Sequence, residues 1–286
     1  MKNPISQMFG ELIGFFIVNL WQQMGSPREF TLLELGPGRG TLMADVLRVA
    51  CRAEGFRDGL DLCLFETNPA LIAEQHARLE AYGAKWIQGF DKVGPGPLLV
   101  IANEFFDALP IRQFVRAEDG WHERMVGTNN GRRVFGLNPT PIPASAMPET
   151  LAEAEINAVL EVGLASGEVM NRLASTISTQ GGAILALDYG YARTQTGETL
   201  QGVRRHQFAD VLDAPGEVDI SAHVDFEALA SVASRAGLAV QPLATQAQFL
   251  TRMGINERTS ALIAANPGMA DELSAARARL IGPDQM

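Results

Sequence analysis

The chain has 286 residues, of which 47% are hydrophobic and 20% are charged, a composition typical of a folded globular protein. Its 23 basic and 33 acidic residues give a net charge of −10, and they form no basic cluster, which argues against nucleic-acid binding. Two cysteines are too few for a disulfide framework or a cysteine-ligated zinc site, and the four histidines show no ligand spacing, so no metal site is expected. No run of about 18 apolar residues is present, so no membrane insertion is expected.

A long amphipathic helix is predicted at the start of the chain. Apolar residues recur at spacings of three and four from Ile5 to Met24, and Gly25-Ser26-Pro27 ends the pattern. The polar face carries no cluster of basic residues, so the apolar stripe favours core packing over a membrane surface. We expect this helix to lie on a β-sheet.

A strand, a glycine turn and a helix follow. The apolar run Thr31 to Leu35 breaks at Gly36-Pro37-Gly38-Arg39-Gly40, and apolar residues then recur at helical spacing from Thr41. Glycines at alternate positions let the backbone bend sharply and leave room for a ligand against the main chain. The N-terminus of the helix directs free N–H groups into the same space, which suits a carboxylate or a phosphate.

The turn does not match the dinucleotide-binding fingerprint. That fingerprint needs a third glycine at position 41, which is Thr41 here. The pattern G-x-G-x-G after a strand ending in Glu34-Leu35 instead resembles the S-adenosylmethionine turn of Rossmann-like methyltransferases, although a turn without a ligand stays open as an alternative. The cofactor contacts predicted here are Glu34, Gly36, Pro37, Gly38, Gly40 and Thr41.

A second strand, Leu60 to Phe65, ends at Glu66. An acidic residue at this point of a parallel sheet can accept both ribose hydroxyl groups of a nucleoside, whereas Asn68 before Pro69 suits the N-cap of the next helix. A short strand near Lys85 to Ile87 leads to the segment where adenine contacts would fall in such a fold. The further cofactor contacts predicted here are Thr67, Phe90 and Asp91.

The acceptor of the reaction is expected after the buried strand Leu98 to Ala102. Asn103 and Glu104 follow this strand, so Asn103 is expected to touch both cofactor and acceptor. A carboxylate such as Glu104 can bind a guanidinium through two hydrogen bonds and orient one nitrogen toward a methyl group. Asp107 and Asp188 fall at strand ends on the same rim, where each is a second acceptor-binding carboxylate or a turn former. His206 and His223 are weaker candidates for a proton carrier.

The elements predict an α/β fold with a mainly parallel, doubly wound sheet and an insertion. We expect residues 1–110 to form the first helix and the cofactor-binding half, and residues 181–286 to complete the core with a helical tail from about Asn256. Residues 111–180 are expected to form a β-meander and a helical cap, with helices from Leu151 to about Ser178. We also expect a loop at 194–205, a helix from Phe226 capped by Asp225, and a last strand from Ala239 to Thr245.

Several segments together resemble the MidA family. They are ISQMFGELIG (5–14), LLELGPGRGTLMADVLR (32–48), ETNPAL (66–71), ANEFFDALPIRQF (102–114), LDYGY (187–191) and PGEVDISAHVDF (215–226). Members of this family are S-adenosylmethionine-dependent methyltransferases, and its mitochondrial members are complex I assembly factors that methylate an arginine of a core subunit. The resemblance implies a Rossmann-like class I methyltransferase fold and protein-arginine methylation. It also supports cofactor contacts at Gly36, Gly38, Gly40 and Glu66, and acceptor contacts at Asn103 and Glu104.

Two other functions stay open from the sequence. The chain could be an assembly chaperone that keeps the fold and the cofactor without catalysis, or an oxidoreductase that uses a nicotinamide. Thr41 and the lack of a recognisable catalytic Tyr/Lys or His/Asp set disfavour the oxidoreductase. We expect a protein substrate that presents an arginine, in the bacterial cytoplasm or in the mitochondrial matrix of a eukaryote.

Overall fold

The computed structural model describes residues 4–205 and 207–282, so His206 lies outside the described residues. The chain divides into two compact units. Unit 1 contains the residues up to Asn103, the segment Arg172–Leu187 and the residues from Gly237 onward. Unit 2 contains Glu104–Asn171 and Asp188–Ala236.

The helices are α1 Pro4–Gln23, α2 Thr41–Ala50, α3 Pro69–Leu79, α4 Leu164–Gln180, α5 Phe226–Arg235, α6 Gln246–Arg252, α7 Ile255–Ala265 and α8 Ala270–Ile281. The strands are β1 Phe30–Leu35, β2 Leu60–Phe65, β3 Lys85–Ile87, β4 Leu98–Asn103, β5 Arg112–Ala117, β6 Gly120–Asn129, β7 Arg132–Leu137, β8 Val159–Val162, β9 Gly182–Leu187, β10 Gly190–Tyr191, β11 Gln201–Arg204, β12 Gln207–Ala209, β13 Asp219–Ser221 and β14 Val224–Asp225.

The central sheet of unit 1 has five parallel strands in the order β3-β2-β1-β4-β9. All six residues of β1 are buried, because this strand has a neighbour on each side and apolar cover on its faces. Strands β2 and β3 are added on one side of β1, and β4 and β9 are added on its other side. Ligands of such sheets bind at the carboxyl ends of the strands near this reversal of strand order. The predicted parallel sheet and its strands are confirmed.

The first helix packs closely on α2. The predicted stripe is buried at Met8, Leu12, Ile13, Ile17 and Trp21. Its last three members share a hydrophobic cluster with residues of β1, β2 and β4, and its first two pack with residues of α6, α7 and α8. Gly10 and Gly14 allow the close approach, since a Cβ atom at Gly14 would lie 2.8 Å from the Val46 carbonyl oxygen. The nearly buried carboxylate of Glu11 accepts hydrogen bonds from Arg48 of α2 and Arg258 of α7. The predicted contact between the first helix and the sheet core is confirmed.

The described residues of unit 2 form three sheets. The largest is antiparallel with the strand order β7-β6-β5-β8, and its first three strands are the predicted β-meander. The others are a three-stranded sheet in the order β12-β11-β13 and the short pair β10-β14. Helix α5 begins as expected, because the Asp225 side chain accepts the N–H of Ala228, and Gly237 follows it with a φ of 94°.

Three local predictions were wrong. Residues 159–162, expected to be helical, form β8, because β5 offers an open edge and the helical repeat before Gly163 is too short to be stable alone. The expected loop at 194–205 ends in β11, which pairs with strands on both sides. Residues 239–245 form no strand; Pro242 lacks the N–H that a sheet ladder needs, and Leu243 is 55% exposed. The helical tail is confirmed, although it begins earlier, at Gln246.

Candidate active site

The glycine turn of unit 1 has the backbone that its sequence predicts. Gly36, Gly38 and Gly40 have φ angles of 57°, 53° and 71°, a region that side chains other than glycine rarely adopt. Gly40 precedes Thr41, the first residue of α2, and provides no side-chain cap for the N–H groups of this helix. A Cβ atom at Gly38 would meet no described atom within 4 Å. The turn therefore presents a helix N-terminus and open space, as a bound anion or a polar ligand requires.

Glu34 carries an unpaired buried carboxyl at the end of β1. Its side chain is 2% exposed, and its Oε2 atom has no hydrogen-bond partner among the described residues. Its neighbours in the sheet are Leu64 and Ile101, which belong to the hydrophobic cluster. Burial raises the pKa of Glu34 to about 8, so the carboxyl is mostly protonated at neutral pH. An unpaired polar atom this deeply buried fits a polar ligand beside the glycine turn.

Glu66 is held at the end of β2 by backbone donors. Its Oε1 atom accepts the N–H groups of Thr67 and Asn68, each at 2.9 Å, and the residue is 8% exposed. The Asn68 side chain accepts the N–H of Ala70 at 2.9 Å, which confirms it as the N-cap of α3. The carboxylate of Glu66 is thereby fixed in one orientation.

Gln75 of α3 joins the glycine turn to Glu66, and sequence reasoning missed it. Its Nε2 atom donates to the carbonyl oxygen of Gly38 at 2.6 Å and to Oε2 of Glu66 at 3.2 Å. Its Oε1 atom accepts the indole N–H of Trp86 at 2.6 Å. The sequence signal that could have revealed Gln75 is its position four residues before Leu79, on the apolar side of a predicted helix.

The remaining predicted cofactor residues also belong to unit 1. Phe90 opens a short 3-10 helix, and its ring stacks on Phe65 of β2 with centroids 4.9 Å apart. Asp91 is exposed and pairs with the neighbouring Lys92, and Thr67 is also exposed. Asn103 is half-buried at the end of β4, and buried Pro37 lies inside the glycine turn.

Three predicted acceptor carboxyls form one cluster in unit 2. Glu104 has a φ of 48°, an unusual left-handed backbone for a residue with a side chain. Oδ2 of Asp188 accepts the N–H groups of Phe106 at 2.9 Å and Asp107 at 3.3 Å, and its Oδ1 accepts the N–H of Tyr189. Asp188 therefore fixes the turn that carries Asp107.

Asp107 affects the ionisation of the other two carboxyls of this cluster. Burial and the charge of Asp107 raise the pKa of Glu104. Burial and Asp107 also raise the pKa of Asp188, to about 6. Burial and the charge of Asp219 raise the pKa of Asp107, while the N–H of Ala108 and the nearby His223 oppose the shift. The cluster therefore carries crowded negative charge that a cation would relieve.

A cavity of about 210 Å³ lies beside the cluster within unit 2. Its lining consists of Asp107, Tyr189, Gln201, Ser221, Ala222 and His223. The carbonyl oxygen of Asp107 accepts the N–H of Ala222 at 3.0 Å, which ties the two walls together. His223 is thus placed beside Asp107, whereas Gln201 and Ser221 were not anticipated. Gln201 lies in β11, within the segment 194–205 that was expected to be a loop, and Ser221 lies in β13, for which no structure was predicted.

In residues 4–205 and 207–282, no three or more histidine, cysteine or acidic side chains are grouped as a metal ion would require. The same residues contain no helix that is long and apolar enough to cross a membrane.

Comparisons with known proteins identify the family. Residues 12–244 match a family model described as "Putative S-adenosyl-L-methionine-dependent methyltransferase". A zebrafish relative, "Protein arginine methyltransferase NDUFAF7, mitochondrial", is 35% identical over 99% of this chain and 72% of its own length. The human protein of the same name is 31% identical over 99% of this chain and 69% of its length.

Solved structures agree with this result. A methyltransferase-type protein from Burkholderia thailandensis, crystallised with S-adenosyl-homocysteine, has a TM-score of 0.83 at 25% identity, over 99% of this chain and 75% of that one. A second structure from the same organism, at 24% identity, has the same fold with a TM-score of 0.84 over 100% of this chain and 78% of that one. The chain therefore belongs to the MidA family of S-adenosylmethionine-dependent methyltransferases.

Proposed function

We propose that this methyltransferase modifies a side-chain nitrogen of an arginine in a partner protein, and that Glu104 holds this arginine. The observation that carries the proposal is the cluster of Glu104, Asp107 and Asp188, in which the charge of Asp107 raises the pKa of both other carboxyls. Relatives at 31–35% identity bear the name protein arginine methyltransferase, which supports the same acceptor. A nicotinamide-dependent reaction does not agree with the family of the chain.

A guanidinium fits the cluster better than a neutral acceptor does. It stays protonated at all physiological pH values and carries five N–H donors in a planar fork, which one carboxylate can bind through two hydrogen bonds. Its positive charge also offsets the repulsion among the three carboxyls. Asp188 serves mainly to hold the turn at Phe106 and Asp107, because its hydrogen bonds go to backbone N–H groups.

The cofactor is proposed to lie against unit 1. The unpaired carboxyl of Glu34, the open space at Gly38 and the oriented carboxylate of Glu66 fit a ligand with polar groups and a ribose. We assign the ribose hydroxyls to Glu66 and the adenine region to Phe90 with Asp91. The remaining proposed contacts are Gly36, Pro37, Gly40, Thr41, Thr67 and Asn103.

The chain's own contribution is to orient the acceptor and to take up a proton. S-adenosylmethionine, when bound, supplies a methyl group on a positively charged sulfur. Glu104 accepts hydrogen bonds from two guanidinium nitrogens and directs a third nitrogen away from itself. The nitrogen that gains the methyl group must release one proton, and a carboxylate of the cluster accepts it.

The proposed partner is a protein, either a respiratory complex I subunit or its counterpart. The names of the relatives place those proteins in mitochondria. For this chain we propose the mitochondrial matrix or the bacterial cytoplasm as the site of the reaction.

Glu104→Gln tests the proposal, with Glu118→Gln as the matched control in the same unit. Glu118 is exposed in the turn between β5 and β6 and has no part in the cluster. We expect Glu104→Gln to lower methyl transfer to protein at least about 100-fold while the Kd for S-adenosyl-homocysteine changes little. Glu118→Gln should keep the wild-type rate. Equal rates for both variants would contradict the proposed role, and a fully functional Glu104→Gln in a deletion strain would favour the chaperone.

A further inference from the structure

Gln75 is a polar side chain completely buried in unit 1. Its exposed fraction is 0%, and α3 buries only Gln75 and Leu79 among its described residues. A glutamine is rarely buried so fully unless each amide atom has a partner, because an unpaired amide in an apolar site destabilises the fold. The partners of Gln75 therefore indicate what the residue does.

The amide of Gln75 has only one acceptable orientation. Its NH₂ group faces two acceptors, the Gly38 carbonyl oxygen and the Glu66 carboxylate, at 2.6 and 3.2 Å. Its oxygen faces the indole N–H of Trp86, which is a donor only. Exchanging the nitrogen and the oxygen would turn all three contacts into repulsions. The amide is therefore a fixed link between the end of β2 and the glycine turn.

The aliphatic part of Gln75 reaches the turn as well. A Cβ atom at Gly40 would lie 3.3 Å from Cγ of Gln75, so α3 packs closely against the last glycine of the turn. Trp86 is itself held by stacking on His76, with ring centroids 3.7 Å apart. One side chain thus donates hydrogen bonds to Gly38 and Glu66 and leaves little room for a Cβ atom at Gly40; these are three of the proposed cofactor contacts.

We propose that Gln75 is a positioning residue for S-adenosylmethionine, which sets the spacing between the glycine turn and the carboxylate of Glu66. This inference rests on the cofactor contacts proposed above for the turn and for Glu66. Gln75 itself lies behind these groups, because it is fully buried and its three polar contacts are all used within the protein. Its loss should therefore weaken cofactor binding through the altered positions of Gly38 and Glu66.

A purely structural role makes a different prediction. A buried glutamine that only stabilises unit 1 would lower the melting temperature and leave the affinity of the folded protein unchanged. Unit 2 offers a matched control, because Gln113 is 5% exposed and donates to the buried carboxylate of Glu161 at 2.8 Å. Gln75→Leu and Gln113→Leu remove the same kind of hydrogen bond from the two units.

The first experiment is calorimetric titration of the full chain with S-adenosyl-homocysteine. We expect Gln75→Leu to raise the Kd at least about tenfold, because the Gly38 carbonyl and the Glu66 carboxylate lose the donor that fixes their positions. Gln113→Leu should change the Kd by less than about twofold, although both variants melt at a lower temperature. An unchanged Kd for Gln75→Leu would overturn the inference and leave arginine methylation standing. Wild-type protein that fails to bind would overturn the inference together with the cofactor contacts on which it rests.

A second variant keeps the inference testable if Gln75→Leu does not fold. Gln75→Glu preserves the shape, but its ionised carboxylate would face Glu66 and the Gly38 carbonyl oxygen. A protonated carboxyl can donate one hydrogen bond, so the ratio of the variant's Kd to the wild-type Kd should fall as the pH is lowered from 8 to 5.5. A constant ratio over this range would contradict the donor role of Gln75.

Discussion

The Oδ2 atom of Asp188 accepts the backbone N–H of Phe106 at 2.9 Å, across 82 positions of the chain. Asp188 directly follows β9, and Phe106 belongs to the turn after Glu104. Both oxygens of the Asp188 carboxylate accept backbone N–H groups, so an amide cannot replace the carboxylate without turning a donor toward a donor. This hydrogen bond therefore fixes the backbone that carries the proposed acceptor residues.

Asp188→Asn should lower the stability of unit 2 and displace Asp107 from its position in the turn. We expect a loss of about 1–3 kcal/mol in the free energy of unfolding, together with a slower methyl transfer. Asp210→Asn is the control, because the Asp210 side chain accepts the N–H of Leu212 in an exposed turn. Denaturant titration and a transfer assay would measure both effects. A loss of stability for Asp210→Asn equal to that for Asp188→Asn would contradict the special role of Asp188.

Methyl transfer should fall at acidic pH. The carboxyls of the cluster bind a guanidinium only when ionised, and the pKa of Asp188 is raised to about 6. The pKa of Glu104 is also raised, so protonation removes negative charge from the cluster earlier than usual as the pH falls. We predict a rate that declines below about pH 6 while the Kd for S-adenosyl-homocysteine, measured at each pH, changes less. A rate independent of pH between 5 and 8 would argue against a carboxylate cluster at the acceptor.

Gly38→Ala should impair binding more than folding. The φ of 53° makes any side chain at this position unfavourable by roughly 1 kcal/mol, and the new methyl group would enter the open space beside the turn. Gly83→Ala is the matched control, because Gly83 has a φ of 73° and also faces open space. Thermal melts should show similar losses of stability for both variants, and calorimetry should show weakened S-adenosyl-homocysteine binding for Gly38→Ala alone. Equal affinities would place the ligand away from Gly38.

Glu34→Gln should change how stability depends on pH. The pKa of Glu34 in the folded protein is raised from 4.5 to about 8, so its contribution to stability is fully present below about pH 4.5. That contribution is lost as the pH rises to about 8, because the unfolded chain releases this proton near pH 4.5 whereas the folded protein keeps it or buries a charge. Wild type should thus lose up to about 1.4 kcal/mol per pH unit relative to Glu34→Gln within this window. Parallel stability curves for the two proteins would show that Glu34 is not held protonated.

Local patterns in the sequence predicted the first strand, the glycine turn and the following helix of unit 1 well. The run from Thr31 to Leu35, the alternate glycines and the helical repeat after Thr41 each depend on neighbouring residues, and the structure has the expected strand, turn and helix. The Asn68 and Asp225 caps are local in the same sense. The proposed roles of Glu66 and Glu104 stay predictions that the experiments above address.

Features that depend on distant partners could not be predicted. Gln75 finds the Gly38 carbonyl 37 positions away, and no periodicity in α3 reveals that bond. The strand β8 forms because it pairs with the free edge of β5, whereas its short apolar repeat alone predicts a helix. The left-handed backbone of Glu104 is likewise imposed by its surroundings, since its residue type gives no reason to expect it.

The most direct test of the account is to identify the residue that receives the methyl group. The purified chain would be incubated with labelled S-adenosylmethionine and a protein extract from cells that lack its gene, and labelled proteins would be analysed by tandem mass spectrometry. The account predicts methylarginine on a protein partner, formed by wild type and not by Glu104→Gln. A methyl group found only on lysine, glutamine or a carboxylate, or no labelled protein at all, would contradict it.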